Sequence, residues 1–308
     1  MRQERLITVF GGTGFLGSRI VARLLQGGCR VRVAARHPDR KPDLLRNDRS
    51  EACRADLHEP ATLTAALKGA DGAVNATSLY VEKGDLTYHA VHVDAAARLA
   101  ALARHAGVRA FVQMSGIGAD PDAQDSYVRA RGEGERAVRA AHPEAVIARS
   151  AVMFGEGDAL LSTIRDILRR SPVYPLFGAG DTRLQPAWVD DVAEAVARLL
   201  KPGARATPHE LAGADIVTYR QLVERVAEAT GSRARTVPVP FALWQPLAGL
   251  AEHLPGAPLT RAQVALMRID NVASGSMPGM SVLGIAPRGM TEQVERRAGT
   301  EDGSEEQV

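Results

Sequence analysis

The chain is poor in cysteine, lysine and aromatic residues. Its 308 residues include two cysteines, and aromatic side chains make up 4% of the total. Two thiols, Cys29 and Cys53, cannot form a disulfide framework or fill a four-ligand zinc site, so a stapled secreted scaffold is excluded. No metal site is expected, because His89 and His92 sit at i,i+3 with no second ligand pair in register. Charge of one sign is also lacking: 38 basic against 36 acidic residues leave +2, without the basic stripe of a nucleic-acid binder. Long apolar runs are missing too. The most apolar stretch of the C-terminal half, 241–254, contains Gln245, Pro246, Glu252 and His253 and falls short of the roughly 20 residues of a membrane span. The opening MRQERLITVF runs into glycines after about one strand's length of apolar residues and does not have the form of a signal peptide. These features predict a cytoplasmic protein, with peripheral attachment to the inner membrane as the outer limit. Only four of the basic residues are lysine (Lys41, Lys68, Lys83, Lys201). Arginine-favouring codon usage explains the bias in part.

What is present is alternation. Short β-branched runs at 6–10, 31–35, 51–55, 72–76, 110–114 and 145–148 are separated by helix-length amphipathic stretches, the pattern of βαβ units in a parallel sheet covered on both faces. Leu16, Ile20, Val21, Leu24 and Leu25 form one apolar helical face that stops at Gly27-Gly28, and residues 87–106 predict one long helix closed by Gly107. Six strands in the first 150 residues match a doubly wound dinucleotide fold. The predicted architecture is therefore an α/β, Rossmann-type parallel sheet with a smaller C-terminal α/β region. The sheet domain is expected to span 1–201, with its main body in 1–150 and later segments, including 184–201, returning to it. A substrate or partner region is expected at 202–298, and an acidic disordered tail at 299–308. Asp190 or Asp191 is expected to cap a helix running to Leu200, and Thr218 one ending at Gly231.

The strongest chemical signal is Gly11-Gly12-Thr13-Gly14-Phe15-Leu16-Gly17, between the first strand and the first helix. One glycine permits the tight turn, one lets the backbone approach a pyrophosphate, and Gly17 lets helix and strand pack closely. The helix N-terminus then meets the anion. Gly11, Thr13, Gly14, Phe15, Leu16 and Gly17 are thus candidate cofactor contacts. At the end of the second strand the sequence reads Ala34-Ala35-Arg36-His37, with no acid to take a ribose 2′-hydroxyl, which favours NADP(H) over NAD(H) through Arg36. Asp56 and Leu57 after the third strand, and Asn75, Ala76 and Thr77 after the fourth, should lie beside the cofactor; Asp56 equally suits a turn cap. Tyr127 and Arg131, at i,i+4 in SYVRARGEGERAV, share a helical face.

The loop GGTGFLG, the turn ADLHEP, the run VHVDAAARLA through GVRAFVQMSGIGAD, the Tyr127 helix, IARSAVMFGEGD and QPAWVDDVA together resemble an extended, atypical short-chain dehydrogenase/reductase. Within that superfamily the chain is most similar to the family of the nucleotide-binding accessory subunit of respiratory complex I and its free-standing bacterial relatives. The likeness runs from about residue 5 to 200, and TRAQVALMRIDNVAS extends it less specifically. It implies a nicotinamide dinucleotide as ligand, and a quinone-like small molecule or a respiratory-complex partner. It also implies catalytic positions at Tyr127, Arg131 and Ser115, with Tyr127 and Arg131 touching the cofactor as well. Active members carry lysine where this chain has Arg131, a planar fork that holds its proton and is not interchangeable with lysine. Their Ser or Thr often lies one or two positions beyond Ser115, at Gly116 or Ile117. Arg149 matches an arginine near the nicotinamide, with Ser150 in place of the usual proline. An ordinary i,i+4 pair between Arg131 and Glu135 is the competing account of Arg131. The leading expectation is a cofactor holder without catalysis. The alternatives are an active NADP-dependent oxidoreductase acting on a small carbonyl or quinone-like compound and, behind it, a nucleotide-sugar epimerase or dehydratase. The apolar stripe Phe241, Trp244, Leu247, Leu250, Leu254 is expected to be a packed helix; a quinone pocket, a partner surface or a membrane-surface contact are the alternatives.

Overall fold

The computed structural model describes residues 4–201, 203, 206–252 and 259–290. Its elements run β1 (Leu6–Phe10), α1 (Phe15–Gln26), β2 (Arg30–Ala35), β3 (Ser50–Arg54), α2 (Pro60–Leu67), β4 (Gly72–Asn75), α3 (Ala96–His105), β5 (Ala110–Gly116), α4 (Ser126–Ala141) and β6 (Val146–Ser150). There follow β7 (Met153–Phe154), α5 (Ala159–Arg170), β8 (Val173–Phe177), β9 (Arg183–Leu184), β10 (Ala187–Trp188), α6 (Val189–Leu199), β11 (His209–Leu211), β12 (Val217–Thr218), α7 (Tyr219–Ala229), β13 (Arg235–Val239), α8 (Phe241–Ala251) and α9 (Arg261–Leu266).

The chain divides into two compact units. Among the described residues, the first comprises those within 4–150, 189–211 and 274–285, and the second those within 151–188, 212–273 and 286–290. The first unit holds a seven-stranded sheet in the order β11-β6-β5-β4-β1-β2-β3, parallel throughout. Strands buried on both faces must be apolar along their length. Accordingly Leu6–Phe10 and Gly72–Asn75 are buried at every position. Leu63, Leu67, Leu99, Phe111 and Ile147 fill one face of the sheet. Strand order reverses between β1 and β4, and the register sets Phe10 beside both Ala34 and Asn75, so their carboxyl ends open at one point. Ligands of open α/β sheets bind at such a switch point. On the outer side of α1, Glu194 of α6 receives hydrogen bonds from Arg23 and Arg198. Burial pushes the Glu194 carboxyl up, but these bonds prevail and hold it below its ordinary range.

The second unit is also α/β. Its short strands pair as β7 with β10, β9 with β12 and β8 with β13. Phe154, Ile164, Leu176, Leu184 and Leu222 make its core. Thr218 starts α7 with a full capping box to Gln221, and Gly231 closes it at φ +64°. Two local expectations change. The helix expected over 87–106 runs without a break from 88 to 105, but its stretch Ala90–Ala95 is a turn of π-helix leading into α3. Asp190 and Asp191 do not cap α6 but lie in its first turn, because β10 feeds the helix directly. The expected tail at 299–308, and Leu254 of the apolar stripe, lie outside the described residues.

Candidate functional site

The loop after β1 is built by close approach. Gly11 N–H donates to the Ala34 carbonyl at 2.9 Å, and Gly14 N–H to the Gly11 carbonyl at 2.9 Å. Gly11 has φ +74°, and a Cβ there would stand 3.0 Å from the Ala76 carbonyl. A Cβ on Gly17 would stand 2.0 Å from the Gly11 oxygen. Only glycine fits at 17, and the result is a flat backbone cradle under the first turn of α1. That turn has no side-chain cap at Gly14 and no acidic residue, so its N–H groups and positive dipole end are left for an anion. The residues present therefore fit a dinucleotide pyrophosphate: Gly11, Thr13 and Gly14 would hold it from the loop, and Phe15, Leu16 and Gly17 from the helix start.

Around the cradle the sequence candidates have different surroundings. Arg36 is exposed and enters no ion pair among the described residues. Lys41 brings its ammonium 3.4 Å from the Ser18 hydroxyl on α1, adding a second cation on this side. Asp56 accepts the His58 N–H at 3.0 Å, the turn-capping role, and Leu57 offers its carbonyl to Arg98. Asn75 is buried and spent on structure: its amide donates to Gln113 at 2.9 Å, and its oxygen accepts from the Thr77 N–H and hydroxyl. It shapes the end of β4, where Ala76 and Thr77 back Gly11.

Tyr127 and Arg131 do share a face of α4. Asp125 caps that helix, accepting the N–H groups of Tyr127 and Val128 at 3.0 Å. Arg131 lies 3.3 Å from the Tyr127 hydroxyl and 3.4 Å from that of Ser78. Tyr127 is buried in an aromatic nest, stacked on Tyr80 and edge-on to Tyr88 and His92. Burial pushes its phenol above the ordinary value, and the Arg131 charge offsets only part of that. Burial and the same charge depress the His92 imidazole to about 4, so it is neutral at physiological pH. The π-turn carries His92 inward, and Gly134 is what lets α4 close on it: a Cβ there would stand 2.0 Å from the His92 carbonyl oxygen.

Glu135 does not pair with Arg131 in the manner the i,i+4 spacing suggests. It is buried, takes a two-pronged contact from Arg149 at 2.7–3.2 Å, and accepts the Ser115 hydroxyl at 2.5 Å. The Arg131 guanidinium lies instead over Gly116, 3.6 Å from where a Cβ would be. Sequence reasoning passed over Glu135, His92, Ser78 and Tyr80 as site residues. The available signal for Glu135 was its place two helical steps beyond Tyr127 on one face of α4. Among the described residues no three His, Cys, Asp or Glu side chains converge as metal ligands, and no helix is long and apolar enough to cross a membrane.

Residues 11–154 match the NAD(P)H-binding family model, and 118–274 the RmlD substrate binding domain. The chain is 30% identical to a ceramide reductase of Caulobacter vibrioides, over 76% of its own length and 74% of that protein. It is likewise 30% identical to NADH dehydrogenase [ubiquinone] 1 alpha subcomplex subunit 9 of Arabidopsis thaliana, over 78% of its own length and 62% of that subunit. The chain thus spans somewhat under two thirds of the plant subunit. Its fold matches an NADPH-dependent quinone oxidoreductase of Escherichia coli with a TM-score of 0.75 at 20% identity, covering 94% of this chain and 99% of that one. A strand-and-glycine cradle fitted to a pyrophosphate, the seven-stranded parallel sheet and these likenesses place the chain among the NAD(P)H-binding, atypical short-chain dehydrogenases/reductases, in the family that joins the complex I alpha subcomplex subunit to bacterial reductases.

Proposed function

We propose that the protein is a cytoplasmic NADP(H) holder whose site is not set up for turnover, serving a quinone-linked or respiratory-complex function. The pairing of Ser115 with Glu135 carries this reading. A hydroxyl committed at 2.5 Å to a buried carboxylate that also binds Arg149 is withdrawn from any substrate carbonyl. Support also comes from Arg131 in the place of the usual lysine, which holds its proton and cannot relay one, and from a Tyr127 phenol raised by burial, which weakens the tyrosine as a proton donor. Bound cofactor supplies a hydride. The chain's own part is to bind the pyrophosphate on the loop and to meet a 2′-phosphate with Arg36 and Lys41. The name of the complex I relative supports the respiratory assignment.

A second reading is favoured by the 3.3 Å contact of Arg131 with the Tyr127 hydroxyl, which places a fixed positive charge on the phenol oxygen. On it the protein is an NADPH-dependent reductase of a small carbonyl or quinone-like compound, with Tyr127 as proton donor. The names of two relatives, a ceramide reductase and an NAD(P)H azoreductase, support it. Titration with NADPH and NADH, followed by single-turnover oxidation of bound NADPH with quinones and aldehydes, separates the two. The holder binds NADPH more tightly than NADH and leaves it unoxidised. Oxidation that Tyr127→Phe abolishes overturns the holder in favour of the reductase, and tighter NADH binding removes the role of Arg36.

A further inference from the structure

Helix α8 is apolar on its outer side as well as its inner side. Inward, the Trp244 indole donates to the Leu176 carbonyl at 3.1 Å and its ring meets Phe177 at 4.5 Å, while Ala248 and Gly249 are buried. Outward, every exposed position is apolar: Ala242, Leu243, Pro246, Leu247 and Leu250. Leu243, Leu247 and Leu250 are 55%, 50% and 71% exposed and recur at i, i+4, i+7, so they form one stripe. The sequence from 240 to 251 contains no charged residue. An outer helix face is normally charged or polar, and a contiguous apolar stripe of this kind marks a surface that is covered in use.

Its rim shows by what. Arg261 of α9 lies against Gly249, and Arg268 sits 4.8 Å over the Phe241 ring, so an arginine stands near each end of the stripe. Arg268 enters no ion pair among the described residues. Among the described residues Glu252 pairs with Arg261 and Asp270 with Arg183, so both pairs are neutral and the charge beside the stripe is that of Arg268. We propose that α8 is a docking helix for an anionic lipid bilayer surface, with Leu243, Leu247 and Leu250 at the acyl boundary and Arg268 on a lipid phosphate. The stripe presents no polar side chain to a partner, as a specific protein interface would, and asks only for burial next to negative charge. Eleven residues at 1.5 Å each make about 16 Å, about half the hydrocarbon thickness, so the helix lies on the bilayer and does not cross it.

The test is co-sedimentation of the full chain with phosphatidylcholine vesicles and with mixed phosphatidylcholine–phosphatidylglycerol vesicles. The wild type is expected to pellet with the mixed vesicles, and less so as salt rises. The double variant Leu247→Gln/Leu250→Gln should bind about tenfold or more weakly, and Arg268→Gln should weaken binding to the anionic vesicles only. Val282→Gln, at a comparably exposed apolar site in the other unit, should bind as wild type, and an unchanged circular-dichroism melting curve shows that each variant is folded. The proposal is overturned if the wild type stays in solution with both vesicles, or if the leucine variant pellets like wild type. It is also overturned if light scattering shows a leucine-dependent dimer that does not bind vesicles, which would make a second copy the occupant.

Discussion

His92 ties the stability of the first unit to pH, and the size of the effect can be worked from its surroundings. The imidazole is 6% exposed, edge-on to Tyr127 and near the Arg131 charge, with Nε2 3.2 Å from the Leu79 carbonyl oxygen. Burial and Arg131 lower its pKa from 6.5 to about 4 in the folded protein. The sign follows from proton counting. Between these two values the unfolded chain binds the proton and the folded chain does not, so stability rises with pH and is lost as pH falls from 6.5 toward 4. Integrated from pH 7 to pH 4.5, the linkage amounts to about 2 kcal/mol, a factor of roughly 30 in the folding equilibrium. Urea unfolding at the two pH values reads this as a difference between the wild type and His92→Gln, since other titrating groups are common to both. The wild type should lose about 2 kcal/mol more than the variant on acidification. Nuclear magnetic resonance of the imidazole C–H should show one histidine still neutral near pH 5. Equal acid sensitivity in the two proteins, or a His92 titrating at its ordinary value, refutes the assignment of His92 as a buried neutral group.

Other expectations follow from single contacts. Gly17→Ala places a methyl 2.0 Å from the Gly11 oxygen, so it should destabilise by about 1–3 kcal/mol and abolish NADPH binding by fluorescence titration. Glu135→Ala strands the Arg149 cation, whose side chain is 17% exposed, and should cost about 3 kcal/mol in urea unfolding; Glu135→Gln, which keeps an acceptor, should cost less. Thr218→Ala removes the α7 capping box and should lower stability by about 1 kcal/mol without altering cofactor affinity.

Much of the first unit is legible along the chain because its determinants are local. The strand at 6–10 is apolar but for Thr8 and buried throughout because both its faces are covered, and Gly28 and Gly107 end their helices with the left-handed φ that other residues resist. Asp190 and Asp191 misled because a carboxylate before an apolar helix signals a cap, and only the pairing of β10 with β7 shows that the helix has already begun. The three residues of β11 are too short to carry a period of their own.

The sequence by itself determined the strand, the glycine turn and the helix that make an anion cradle at the amino end, because each depends on neighbours within a few residues. It also determined that arginine stands at 131. Tertiary structure alone decided what the charged and hydroxyl groups around Tyr127 do. Glu135 had a sequence neighbour in Arg131, but β6 delivers Arg149 and β5 delivers Ser115 to the same buried carboxylate. Inside a low-dielectric core the two-pronged, desolvated contact prevails over an exposed i,i+4 pair worth about 0.2–0.5 kcal/mol. That preference can be read only once the distant strands are in place.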